Sequence, residues 1–246
     1  MKRFVDKVAI VTGAASGVGR ATALRLAEEG AKLALYDING EGLAEVKKEC
    51  EALGADTLMY TVDISNEEQV NAAARDITEK FGRVDLLVNN AAIFKCWSPF
   101  IETPHADWQR FFDVNVMGTV FVTRSVLGGM IERGYGRIVN VSSVAGVYGN
   151  ANMAHYSASK GAVNAFSQAL AKEVIKNGVI VNSVCPGTVS PGDNHDIDFH
   201  HPSELCHAGR TGTDRENANF ICFLLSDEAT YIAGQNLQID GGRRMI

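Results

Sequence analysis

The 246-residue sequence predicts a doubly wound α/β domain of six or seven strands, and three observations carry that prediction. Short continuous apolar runs alternate with longer segments of helical period, a glycine-rich turn separates the first run from the first helix, and no change of composition divides the chain. Runs without polar alternation suit parallel strands covered by helices on both faces. Val8 to Val11 is the first such run; Ala23, Leu26, Ala27 and Gly30 then recur at i, i+3, i+4 and i+7, one face of a helix. Leu33 to Tyr36 completes a βαβ unit. The alternation continues with helices near 41–53 and 67–81 around a strand from Thr57 to Val62, then Leu86 to Val88 and a long helix near 105–133. Ile138 to Val141, a helix near 154–176, Val179 to Val181, a last helix near 214–226 and a short strand from Leu237 to Ile239 follow. All of this reads as a single domain over 1–246. The segment 190–213 breaks the rhythm and carries four of the six histidines. A loop of that length is expected to be a substrate lid, mobile without ligand because it offers little apolar area.

Composition removes several function classes. Twenty-three Lys and Arg against 29 Asp and Glu leave a net charge of −6, the wrong sign for a chain that neutralises nucleic-acid phosphates, so no nucleic-acid partner is expected. Cys50, Cys96, Cys185, Cys206 and Cys222 are odd in number and lack a CxxC pair, which points to neither a disulfide framework nor a zinc knuckle and fits a reducing, cytoplasmic setting. Only four apolar residues, Val8 to Val11, follow the polar start, too few for a signal-peptide core, and no membrane association is expected.

Chemistry concentrates in a few places. Thr12-Gly-Ala-Ala-Ser-Gly-Val-Gly19 sits where a pyrophosphate would meet backbone N–H groups and the positive end of a helix, with Gly13, Ser16, Gly17, Val18 and Gly19 as its contacts. The same glycines could serve only to pack strand against helix. Asp37 ends the second strand, where a carboxylate can accept from ribose hydroxyls and repel a 2′-phosphate, or can cap the next helix. Asp63, followed by Ile64, has the same choice between an adenine amino group and a helix cap. Tyr156 and Lys160 stand at i and i+4 on one helix face, thirteen residues after Ser143. A lysine ammonium beside a phenol lowers the phenol toward working pH and makes it a general acid or base, while a serine hydroxyl can hold the substrate oxygen.

With these motifs in hand, the sequence resembles the short-chain dehydrogenase/reductase family over essentially its whole length. The matching residues are the Thr12 to Gly19 turn, Asp63, Asn89-Asn-Ala91, Asn115, Ser143, Tyr156 with Lys160, Asn182 and Pro186-Gly187. That resemblance implies a Rossmann fold with a seven-stranded parallel sheet and a catalytic tetrad of Asn115, Ser143, Tyr156 and Lys160. It also places Asn90 and Ala91 against the cofactor, Lys160 on the nicotinamide ribose, Pro186-Gly187-Thr188-Val189 at the carboxamide, and Asn115 on a water that links Lys160 to solvent. Two departures stand out. Ala92 occupies a usual glycine position, so its backbone must avoid positive φ, and Ser190 replaces a threonine that commonly reaches the cofactor.

The expected activity is NAD-dependent hydride transfer to or from a small secondary alcohol or ketone of hydroxysteroid, sugar or cyclic type, by a homodimer or homotetramer. A 3-oxoacyl carrier-protein reductase is the alternative, against which Asp37 weighs, and a non-catalytic dinucleotide sensor is a remote one. Phe94, Trp97, Asn150 and Met153 border the substrate or belong to the core, and His155 turns away from Tyr156 as a packing or rim residue. His195, His200, His201 and Cys206 with Asp193, Asp196 and Asp198 have metal-ligating types but no recognised spacing, so no metal site is expected.

Overall fold

A computed structural model describes residues 2–94, 97–190 and 196–244. Seven parallel strands form one sheet: β1 (Val8–Thr12), β2 (Lys32–Asp37), β3 (Thr57–Thr61), β4 (Leu86–Asn89), β5 (Gly136–Val141), β6 (Val179–Pro186) and β7 (Asn236–Ile239), in the order 3-2-1-4-5-6-7. The strand order reverses at β1, which pairs with both β2 and β4 in register Thr12 to Tyr36 and Val11 to Val88. In such sheets the crevice beyond the carboxyl ends at the reversal is the natural ligand site.

The strands alternate their side chains between two cores. Val11, Leu35, Val88 and Val184 face α1 (Gly17–Glu28), α2 (Gly40–Ala52) and α8 (Asp214–Leu225), meeting Leu26, Leu43 and Ile221. Ile10, Tyr36, Leu87 and Ile138 face the other way, onto α3 (Glu67–Phe81), α5 (Thr119–Arg133) and α7 (Ala154–Val174), against Val70, Val122, Met130 and Leu170. Burial on both faces is why these strands read as unbroken apolar runs. Helix starts are set by local side chains: Asn39 accepts from Gly42 N, Asn66 from Gln69 N, and Thr213 with Glu216 forms a reciprocal capping box.

One expectation changes here. The stretch near 105–133 is not a single α-helix but α4 (His105–Phe112), a π-turn over Asp113–Gly118, and α5. Among the described residues this run is the one long and apolar enough to cross a bilayer, but it is a layer element whose inner face packs on the sheet, with Val114, Phe121, Leu127 and Ile131 partly buried against that core. A short helix, α6 (Ala145–Tyr148), precedes α7.

The described part of the 190–213 segment is held by backbone, not by apolar area. Val189 bridges Gly212, Pro202 bridges Arg210, and Cys206 bridges Arg243. His207 N and Ala208 N donate to the oxygens of Gly242 and Gly241, and Arg244 N donates to that of Leu205, so the tail clasps this segment. Asp193, His195 and Pro191 lie outside the described residues, as do Cys96 and the last two residues.

Candidate active site

A cavity of about 980 Å³ opens over the strand reversal and gathers most of the sequence-derived set: Gly13, Ser16, Gly17, Val18, Asp37, Asp63, Ile64, Asn90, Ala91, Ser143, Tyr156, Lys160, Pro186, Gly187 and Val189. Gly13 and Gly17 hold φ of +64° and +56°, the left-handed region that favours glycine. Asn90 locks this turn onto β4: its Nδ2 donates to the carbonyls of Thr12 and Gly13 at 3.0 and 3.1 Å, while Thr12 Oγ1 accepts from Asn90 N and Ala91 N. Ser16 precedes α1 without a side-chain cap, so the first N–H groups of that helix face the cavity without such a partner. A Cβ added to Gly17 would meet only Asp214 Oδ1, at 3.7 Å. An open glycine and an uncapped helix start fit a pyrophosphate.

Asp37 is not the cap of α2, a role that Asn39 fills. Its Oδ2 accepts from Ala15 N at 3.0 Å and its Oδ1 from Asn39 N at 2.9 Å, which aims the carboxylate along the cavity wall beside Ile38. Nor does Asp63 cap α3: Oδ1 accepts from Ser65 N and Oγ, and Asn66 is the cap.

Three members of the set do not line the cavity. Gly19 is buried, and a Cβ there would fall 2.0 Å from Gly13 O, so its missing side chain serves the packing of helix on turn. Thr188 is exposed beside the wall. Asn115 lies in the π-turn, 1% exposed, where it accepts from Ile93 N and donates to Ile93 O and Ser159 Oγ. It therefore fixes the loop after β4 to α7 one residue away from Lys160.

The expected catalytic groups Ser143, Tyr156 and Lys160 line this same cavity. Ser143 lies beside Tyr156 and favours its ionised form, and Ser143 Oγ accepts from Ala145 N at 3.1 Å. Lys160, 3% exposed, donates from Nζ to Val141 O at 2.8 Å, with Nζ 5.9 Å from the Tyr156 ring centre. Burial pulls the Lys160 ammonium down to about 8. Burial also pushes the Tyr156 phenol up, with only Ser143 opposing it. The expected lowering of Tyr156 by Lys160 is thus not found in the protein alone, where desolvation dominates.

Several positioning residues carry no local sequence signal. Asn89 Nδ2 donates to Thr123 Oγ1 and Asn140 Oδ1, and Asn140 donates to Ser167 Oγ, a buried polar ladder joining β4, α5, β5 and α7. Asn182 receives Gln235 N and donates to Ile232 O, a structural bond remote from the cavity. Ala92 keeps negative φ, so its departure from glycine costs no strain. Ser190 Oγ is engaged with Thr211 Oγ1 at 2.9 Å. Phe94 lines the cavity, Trp97 is exposed, Met153 is buried and Asn150 accepts from Arg243. His155 is fully buried between Trp108 and Phe111. Cys206 Sγ points to Arg210 O, and among the described residues no three metal-ligating side chains come together.

A profile of the short chain dehydrogenase family matches residues 7–199. The chain belongs to that family. Two curated relatives are each 38% identical: 2-dehydro-3-deoxy-L-rhamnonate dehydrogenase (NAD(+)) of Sphingomonas sp. strain SKA58, over 98% of this chain and 96% of the relative, and 3-oxoacyl-(acyl-carrier-protein) reductase of Thermotoga maritima, over 98% of both. Among solved structures, NAD⁺-bound xylitol dehydrogenase superposes with a TM-score of 0.91 at 34% identity, covering 98% of this chain and 100% of that one. L-sorbose reductase from Gluconobacter frateurii, complexed with NADPH and L-sorbose, gives 0.91 at 30% identity over 100% of both. This short-chain dehydrogenase is accordingly an oxidoreductase of CH–OH and keto groups that depends on a nicotinamide dinucleotide.

Proposed function

We propose that this enzyme interconverts a small polar secondary alcohol and its ketone, of sugar-derived or cyclic type, with NAD as the preferred dinucleotide. The observation that carries the reading is one cavity with Asp37 at the end that takes the adenosine ribose and Ser143, Tyr156 and Lys160 at the other. A carboxylate fixed by Ala15 N and Asn39 N accepts well from two ribose hydroxyls and opposes a 2′-phosphate. The names of the rhamnonate and xylitol dehydrogenases support the same cofactor and substrate class. The carrier-protein reductase relative supports the alternative substrate, against which Asp37 weighs.

When bound, the nicotinamide supplies or accepts hydride at its C4. The chain's own part is proton and position. Tyr156 takes the hydroxyl proton in the oxidative direction and returns it in the reductive one, while Ser143 holds the substrate oxygen. Lys160, anchored on Val141 O, holds the nicotinamide ribose and lends positive charge beside Tyr156. Gly13, Ser16, Gly17 and Val18 take the pyrophosphate, Asp63 and Ile64 the adenine, Asn90 and Ala91 the floor, and Pro186 to Val189 the carboxamide side.

The unit acts as one domain, a dimer or tetramer, in the reducing cytoplasm, with 190–213 over the substrate side. Supporting this are the exposed Met117 and the partly buried Val114, Phe121, Leu127 and Ile131 of the α4 to α5 run and, among the described residues, the four free cysteines Cys50, Cys185, Cys206 and Cys222. Absorbance of NADH, followed across polyols, sugar acids, cyclic alcohols and their ketones with NAD and NADP in parallel, tests the whole reading. Faster turnover with NADP, or none with any carbinol, overturns it. A monomer in sedimentation at micromolar concentration overturns the assembly.

A further inference from the structure

Asp214 is the first residue of α8, and its carboxyl group faces the same cavity as the glycine turn. Only 5% of it is exposed, and it makes no hydrogen bond or ion pair with any described residue. Its Oδ1 stands 3.7 Å from the place a Cβ on Gly17 would occupy, beside the open first turn of α1. The amino ends of two helices therefore converge on one unpartnered carboxyl group, which they favour as an anion. A dinucleotide's two phosphate charges would be brought to the same spot.

We infer that Asp214 sets cofactor affinity by competing as an anion for the pyrophosphate site, so that the dinucleotide binds with uptake of a proton by this carboxyl group. The inference rests on the pyrophosphate reading of the glycine turn. Once protonated, Asp214 becomes a donor to a phosphate oxygen in place of a like charge.

Its surroundings favour this exchange. Arg20 of α1 is the cation facing it, and that guanidinium is already forked over Glu49 of α2 at 2.8 and 2.9 Å. On its own helix Arg215 turns to Asp198 and Glu216 to Arg210. The turn from Gly13 to Val18 carries no titratable side chain, and the remaining charged groups of the cavity wall are Asp37, Asp63, Arg110, Asp113 and Lys160. Burial already pushes the Asp214 carboxyl up to about 6 without any phosphate, with Arg20 opposing. An arriving diphosphate raises it further, which makes proton uptake and binding one linked equilibrium.

The test is isothermal titration of NADH and of ADP-ribose, whose pyrophosphate diesters do not themselves titrate in this range, into the protein between about pH 5.5 and about pH 8.5, in buffers of different ionisation enthalpy. Adenosine, which has no phosphate, is the control. Expected is uptake of a substantial fraction of a proton per NADH or ADP-ribose near neutral pH, and an affinity that falls by up to about tenfold per pH unit above about pH 6. Adenosine should show neither effect. Asp214→Asn should bind NADH more tightly than the parent at about pH 8 and with a nearly flat profile, with unchanged adenosine affinity. Binding of NADH without proton uptake by the unmodified protein overturns the inference while leaving the cofactor reading intact, and needs no variant. An Asp214→Asn profile parallel to the parent's does the same. Failure of NADH and ADP-ribose to bind at any pH overturns both.

Discussion

Replacing Lys160 with methionine should make the protein more stable at neutral pH while abolishing turnover. Lys160 is 3% exposed, and its charged form is disfavoured by burial, which moves it from 10.5 to about 8. At about 1.4 kcal/mol per pH unit, that displacement makes the charged side chain cost the fold about 3 kcal/mol wherever folded and unfolded chains both carry the proton. Methionine has similar length and no charge, but it forfeits the 2.8 Å bond to Val141 O, worth about 1 kcal/mol. The net expectation is a gain of about 2 kcal/mol near pH 7. Between about 8 and 10.5 the folded chain sheds the proton while the unfolded chain keeps it, so the parent grows more stable with rising pH and the gap narrows. Urea unfolding of both proteins at about pH 7 and about pH 9.5 reads this directly. A parent more stable than the variant at the lower pH, or a gap of equal size at both, refutes the argument that desolvation dominates at Lys160.

Tyr156→Phe keeps the ring and its contact with Phe111 but removes the proposed proton carrier, so turnover should drop by about 10²- to 10⁴-fold while NADH affinity measured by fluorescence stays put. Asp37→Ala should shrink the ratio of kcat/KM for NAD over NADP, because attraction for the ribose and repulsion of the 2′-phosphate vanish together; an unchanged ratio would show that another group discriminates. Among the described residues neither ring nitrogen of His155 has a partner, and the ring packs edge-on against Phe111 with centroids 4.3 Å apart, so His155→Phe should leave Tm unchanged or raise it by the equivalent of about 1 kcal/mol. A marked fall in Tm would mean that those nitrogens are satisfied by a buried water.

The legible parts of this molecule are those whose signal is local. Tyr156 and Lys160 four apart, glycines packed into one turn, Asp37 at a strand end and seven apolar runs all depend on spacing within one or two elements. What escaped depends on residues far apart in the chain. Asn140, Ser167 and Thr123 look like ordinary strand and helix residues until Asn89 joins them across four elements. Asp37 and Asn39, two residues apart, compete for one cap, and only the geometry awards it to Asn39. Part of the hold on 196–213 comes from backbone bonds to 241–244, and main-chain donors leave no trace in composition. Asp214 was invisible because nothing near it in sequence hints that α8 begins against the Gly17 turn.

The π-turn at Asp113–Gly118 changes what a small genetic lesion would do. A π-turn holds one residue more than the α-helical path it replaces, so the helix before it is rotated by about 100° relative to the helix after it. That rotation lets Phe111 pack toward His155 and Tyr156 on α7 while Val122, Val126 and Met130 pack on the sheet. Counted along an uninterrupted α-helix, Phe111, Asn115, Val122 and Val126 would all fall on one side. Loss of a single codon anywhere in this turn keeps the reading frame and even improves helical regularity, yet it swings the aromatic residues of α4 off α7 and takes the Asn115 brace on Ile93 with them. Point substitutions at Asp113, Val114, Val116 and Met117 have no such reach, so those positions should tolerate changes of residue type far better than changes of length, whereas Asn115 is the brace itself and a Cβ on Gly118 would meet Ile64 Cδ1 at 2.6 Å.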